Sequence, residues 1–177
     1  LLVSHSDDTG FIQLTDLTHI VDLAAPEDGG DEPYRDYPYR THGSVITDFD
    51  GDLDADLFVG NGGMNQIPDK EEPNRLFVST KSTTQNMIAL RLRGNDSNRD
   101  AVGALITVNG SEPDRSPVTR WVVRSSGFNS SLPREQVIGL GARSGPYEVE
   151  IRWPSGRLQT LFVAGSGQRV NVEEPMD

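Results

Sequence analysis

The sequence predicts an all-β chain built in two parts, and three observations carry that reading. Beyond Asn86, short runs of alternating apolar and polar residues recur with turn formers between them, at a period of two rather than 3.6. The 18 Gly and 11 Pro among 177 residues call for many turns. The hydrophobic content of 34% is enough for one good core or two small ones. The expected division is a first part over residues 1–85 and an antiparallel β-sandwich over residues 86–177.

In the first part, Asp7-Asp-Thr-Gly10 is a turn leading into a short strand at Phe11–Leu14. A brief helix is expected over Leu17–Ala25. A polar loop follows from Pro26 to Tyr39, in which Tyr34, Tyr37 and Tyr39 either cover a sheet edge or form a binding surface. Leu57–Val59 is a short buried strand closed by the turn Gly60-Asn-Gly-Gly63, Gly60–Pro73 is irregular, and Arg75–Val78 is a further strand. Lys81–Gln85 is the expected linker. Seven strands then follow at Met87–Leu92, Ala104–Val108, Val118–Val123, Val137–Leu140, Tyr147–Trp153, Leu158–Val163 and Gln168–Val172, the pattern of a sandwich or barrel.

Directly before the Leu57–Val59 strand lies Asp48-Phe-Asp-Gly-Asp-Leu-Asp-Ala-Asp56, with Asp48, Asp50, Asp52, Asp54 and Asp56 at every second position. Ca²⁺ takes six to eight oxygens, and loops that bind it offer them at positions 1, 3, 5, 7 and 9. Without a cation, carboxylates about 4 Å apart repel by roughly 4 kcal/mol per pair at an effective dielectric near 20. A strand with one acidic, solvated face is the alternative, but Asp is depleted in strands and adjacent like charges add to the cost. An EF-hand fails because its position 12 needs a bidentate Glu where this chain has Val59, and the flanks are not helical. The acidic loop is therefore expected to bind Ca²⁺ within a β-hairpin.

A formal net charge of −11 argues against nucleic-acid binding, which draws on clustered Lys and Arg. No apolar run of about eighteen residues offers a membrane span, and no signal peptide is evident, although a chain opening on Leu1 is consistent with a leader or longer upstream region. Cysteine is absent, which excludes disulfides and thiolate metal sites. Extracellular calcium modules work at millimolar ion, which suits a secreted or cell-envelope protein. Asn95-Asp-Ser97, Asn109-Gly-Ser111 and Asn129-Ser-Ser131 fit the glycosylation pattern.

Enzyme readings find little support. Gly139-Leu-Gly141-Ala-Arg-Ser-Gly145 imitates a dinucleotide fingerprint, but the third glycine is one place late and a strand follows instead of the required helix. The three histidines, His5, His19 and His42, all lie in the first part, and no Gly-x-Ser-x-Gly elbow exists. A cation would hold the clustered carboxylates ionised, which disqualifies them as general acids. The expectation is a protein without catalytic residues.

Two stretches carry family likenesses. Asp48–Val59 followed by Asn74-Arg-Leu-Phe77 resembles an FG-GAP or VCBS repeat, the calcium-carrying blade of integrin-like β-propellers, and Ser6–Phe11 looks like the gap hairpin of that repeat. Ser97-Asn-Arg-Asp-Ala-Val-Gly-Ala104, Ser125-Ser-Gly-Phe-Asn-Ser130, Gly139-Leu-Gly141 and Trp153-Pro-Ser-Gly156 follow the order and spacing of the ASPIC/UnbV domain of the cartilage acidic protein family. The resemblance implies an extracellular or envelope protein with a partial, calcium-stabilised propeller blade before a C-terminal β domain. The function expected of it is an adhesion or interaction module in which calcium rigidifies a loop that supports contacts to protein or carbohydrate. It also implies side-chain ligation by Asp48, Asp50, Asp52 and Asp56, with a backbone carbonyl from Asp54. The alternative is a non-catalytic accessory domain of a larger secreted enzyme or biosynthetic protein. This chain departs from the repeat at Leu53, where glycine is usual and a left-handed backbone is often needed; a non-glycine residue there costs roughly 1 to 2 kcal/mol. Ser97, Asn98 and Arg99 form either a hydrogen-bonded turn beside Asp96 and Asp100 or a ligand-contacting loop. Gly103 allows a bulge, and Pro154-Ser-Gly156 reads as a hairpin turn.

Overall fold

A computed structural model describes residues 2–6, 12–16, 41–62, 74–79, 86–112, 115–125 and 127–176. Among them there are twelve strands and no helix. β1 (Leu2–Ser6) and β2 (Ile12–Asp16) pair antiparallel from Leu2 with Asp16 to Ser6 with Ile12, and the expected turn at Asp7–Gly10 lies outside the described residues. The expected helix at Leu17–Ala25, the tyrosine loop and the linker lie outside the described residues.

β3 (Thr41–Thr47), β4 (Asp56–Asn61) and β5 (Arg75–Phe77) make an antiparallel sheet in the order β3-β4-β5. Thr47 pairs with Asp56, so the acidic run forms the loop between two paired strands, as its hairpin reading expects. Phe58 on β4 and Phe49 in the loop tilt their rings together at a centroid distance of 6.3 Å, which gives the loop an apolar foothold on the sheet.

The seven strands expected after residue 86 are all present: β6 (Asn86–Arg93), β7 (Leu105–Asn109), β8 (Val118–Trp121), β9 (Glu135–Gly141), β10 (Tyr147–Arg152), β11 (Leu158–Val163) and β12 (Gln168–Glu173). They form two sheets, β12-β6-β9 and β11-β10-β7-β8. Period-two alternation turns Ile88, Leu90 and Leu92 of the first sheet and Ile106, Val108, Val149 and Ile151 of the second into one shared core. Full burial of each such side chain contributes about 1.5 to 3 kcal/mol. Trp153 and Tyr147 sit in this core with their polar ends satisfied, Trp153 Nε1 donating to Gln159 Oε1 at 3.0 Å and Tyr147 Oη to the Arg143 carbonyl at 2.9 Å.

The sandwich is not wholly antiparallel: β12 runs parallel to β6, with Asn171 beside Arg91 and Glu173 beside Arg93. The cause is topological. β11 ends in the opposite sheet, and the chain crosses between layers before β12 enters beside the first strand of the sandwich, a connection that parallel neighbours require. The crossing is fixed where Gly167 N donates to the Met87 carbonyl at 2.8 Å.

This sheet positions the features that follow. Met87, Ala89, Arg91 and Arg93 of β6 point away from the core, as do Glu135 and Val137 of β9. Its outer surface carries Arg169 and Glu135, through which it meets the acidic hairpin, and next to them Arg91 and Arg93.

Candidate metal centre and the buried carboxylate

The acidic loop is wound by its own side chains. Asp48 accepts the Gly51 N–H on Oδ1 at 2.6 Å and the Leu53 N–H on Oδ2 at 2.9 Å. Asp50 Oδ1 takes the Asp52 N–H at 3.2 Å, and Asp52 Oδ1 takes the Asp54 N–H at 2.7 Å. Such Asx turns are what short acidic side chains favour over a continued strand. Gly51 and Leu53 both adopt left-handed backbone, with φ of 89° and 73°. Leu53 thus takes up the conformation for which the resembled repeat uses glycine.

This winding brings one oxygen from each of Asp48, Asp50 and Asp56 within 4.8 Å of one another. Asp56 is 1% exposed, and its carboxylate is oriented by the Phe49 N–H at 2.7 Å and the Ser79 N–H at 2.9 Å. Of the five aspartates singled out by spacing, Asp52 and Asp54 stand outside the triplet. Asp54 is buried and turned towards Ser79, whose Oγ donates to it at 3.0 Å. The Asp52 N–H lowers the Asp50 pKa, but burial and the negative charges of Asp52, Asp56 and Asp48 oppose it, and the net shift is upward. The loop gathers negative charge that its own hydrogen bonds do not neutralise.

One cation from the sandwich reaches this loop. Arg169 of β12 pairs through Nη2 with Asp48 and through Nη1 with Glu135 of β9. The hydrogen bond from Arg169 to Glu135 is the largest cause of the raised arginine pKa, against burial and with the Asp48 bond adding to it. A second tie lies at the other end of β3, where the Ser44 N–H donates to Ser130 Oγ at 3.2 Å. Gly43 beside it approaches Asn129 so closely that a Cβ would stand 2.5 Å from the Asn129 carbonyl oxygen. Phe128–Ser130, within the motif run that starts at Ser125, is therefore one place where the hairpin docks. Its spacing alone gives no hint of that partner.

The other predicted set divides by residue. Asn98 closes its own turn, donating from Nδ2 to the Val102 carbonyl and accepting the Val102 N–H on Oδ1, both at 2.8 Å. Ser97 faces inward to Glu174, a carboxylate only 1% exposed. Glu174 Oε2 accepts the N–H groups of Asn95 at 2.8 Å and Ser97 at 2.7 Å, while Oε1 accepts Ser97 Oγ at 2.8 Å and Ser155 Oγ at 2.5 Å. Burial raises the Glu174 pKa, yet the hydrogen bonds from Ser155, Ser97 and Asn95 outweigh it and hold the carboxyl down at about 2. Such a group stays ionised and ties Ser97, the Pro154-Ser-Gly156 turn and the chain end together. Arg99 takes no part; its exposed side chain lines a separate cleft.

Gly139–Gly141 lies at the end of strand β9, and Tyr147–Arg152 is a strand, so the imitation fingerprint has no helix behind it. His42 is exposed, and His19 lies outside the described residues.

The ASPIC and UnbV family profile matches residues 94–177. That span contains Ser97, Ser155 and Glu174 and begins just after β6. No curated protein matches the chain.

Proposed function

We propose that this protein is a calcium-stabilised binding module of the cell envelope or extracellular space, without catalytic residues, whose rigid β-frame presents loops to a protein or glycan. The observation that carries the reading is the convergence of Asp48, Asp50 and Asp56 beside a left-handed Leu53. Three hard oxygen donors at that spacing fit Ca²⁺, whose charge would offset that of the gathered carboxylates. Asp52 and the Asp54 carbonyl are the further ligands that the FG-GAP and VCBS resemblance supplies. When bound, the ion would offset part of the negative charge of the loop and hold together the ends of β3 and β4 that flank it. The chain itself supplies the frame: Ser79 orients Asp54 and Asp56, and Arg169 carries loop charge onto β9 and β12.

Isothermal titration with CaCl₂ tests this. The expected result is one saturable event in the wild type that disappears in Asp50→Ala/Asp56→Ala, with magnesium binding more weakly because its octahedral shell is less adaptable. Absence of binding at millimolar calcium contradicts it.

A second reading, an accessory domain of a larger secreted enzyme or biosynthetic protein, is favoured by the family match at residues 94–177. Under it the sandwich positions a neighbouring domain, and calcium serves the junction.

A further inference from the structure

The β12-β6-β9 sheet also holds a cleft of about 380 Å³ lined by Arg91, Arg93, Arg99, Arg134, Asp100, Asn171 and Glu173, beside Glu135, the β9 partner of Arg91 that meets Arg169. In a chain with a net charge of −11, this gathers four of its 16 basic residues at one place. The two acids are already paired. Asp100 takes Arg134 at 3.0 Å with Arg124 at 4.0 Å, and Glu173 takes Arg93 at 3.3 Å. Arg91 and Arg99 are left exposed with no ion pair or side-chain hydrogen bond among the described residues.

Neither arginine is placed there by chance of a loop. Arg91 projects from the central strand of the sheet beside Asn171, its parallel partner on β12. Arg99 is held over the same cleft by the turn that Asn98 locks at both ends. Two guanidinium forks and an amide lining one cleft supply the donors that an oxyanion accepts, and the cleft has the size of small-ligand sites.

We infer that this cleft binds an oxyanion group of sulfate or phosphate type, free or carried on a sugar, through Arg91, Arg99 and Asn171. The inference stands apart from the calcium loop and is tested separately from it.

The test is a titration of the full chain, followed by amide and arginine Nε resonances, with sodium sulfate, sodium phosphate and a monosulfated disaccharide, at ionic strength fixed with NaCl. Saturable shifts centred on Arg91, Arg99 and Asn171 are expected. Arg91→Gln/Arg99→Gln should weaken binding at least tenfold with an unchanged melt, since both side chains are exposed. Glu173→Gln, which frees Arg93, should tighten it. Tighter binding of the disaccharide than of the free ions assigns the group to a glycan, and equal binding assigns it to the ion. Shifts that stay linear and equal those in chloride, or binding unchanged in the double variant, overturn the inference.

Discussion

Ser97 and Glu174, at opposite ends of the ASPIC and UnbV match, are joined by two hydrogen bonds: Ser97 donates its N–H to Oε2 at 2.7 Å and its hydroxyl to Oε1 at 2.8 Å. Ser97 Oγ in turn accepts the Ser155 N–H at 3.0 Å, which brings the two motif turns onto one carboxylate.

Glu174→Gln removes the charge and turns an amide donor towards Asn95, Ser97 and Ser155. The expected loss is about 2 to 4 kcal/mol, read from urea unfolding at neutral pH.

The same contact sets an acid dependence. The folded Glu174 carboxyl lies at about 2, below its usual 4.5, so the stability it contributes is present above 4.5 and lost as pH falls towards 2. The shift corresponds to something on the order of 3 kcal/mol. Wild-type stability should therefore drop more steeply than that of Glu174→Gln between pH 4.5 and 2, and parallel curves would contradict the assignment.

Asn98→Ala should lower the melt by losing both bonds to Val102, on the order of 1 to 3 kcal/mol. Arg99→Ala should leave it unchanged. Arg99 lies within the hydrogen-bonded turn, its carbonyl accepting the Gly94 N–H at 3.2 Å, while the side-chain bonds that close the turn come from Asn98.

The strands were legible because period-two alternation and turn residues are local signals, and β6–β12 all fall at or near their expected positions. The five aspartates were legible for the same reason. Their division was not: spacing cannot say that Asp54 turns to Ser79, 25 residues away, or that Asp48 meets Arg169, 121 residues away. Glu174 carried no motif of its own. Its role arises only when the last strand runs parallel to β6, a pairing that hairpin-by-hairpin reading does not anticipate.

Arg169→Gln frees an oxygen of Asp48 for a cation. Calcium affinity should rise severalfold, while stability without calcium falls by about 1.5 to 3 kcal/mol, because the Asp48 side chain that loses its partner is buried. Unchanged affinity would show that Arg169 does not compete with the ion.

Gly43→Ala drives a Cβ into the Asn129 carbonyl. Hydrogen exchange at the Ser44 amide should accelerate while the Val149 and Ile151 amides on β10 stay protected, with a cost of about 1 to 3 kcal/mol. Uniform acceleration would contradict a local contact between β3 and Phe128–Ser130.

Thermal unfolding in millimolar CaCl₂ against a chelator tests the calcium account most directly. An ion that binds only the folded state adds about 2.7 kcal/mol at a hundred times its dissociation constant. The wild-type melts should therefore separate by several degrees, and Asp50→Ala/Asp52→Ala should bring them together. Coincident wild-type melts in calcium and chelator would contradict the account and leave the acidic loop a solvated turn wound by its own aspartates.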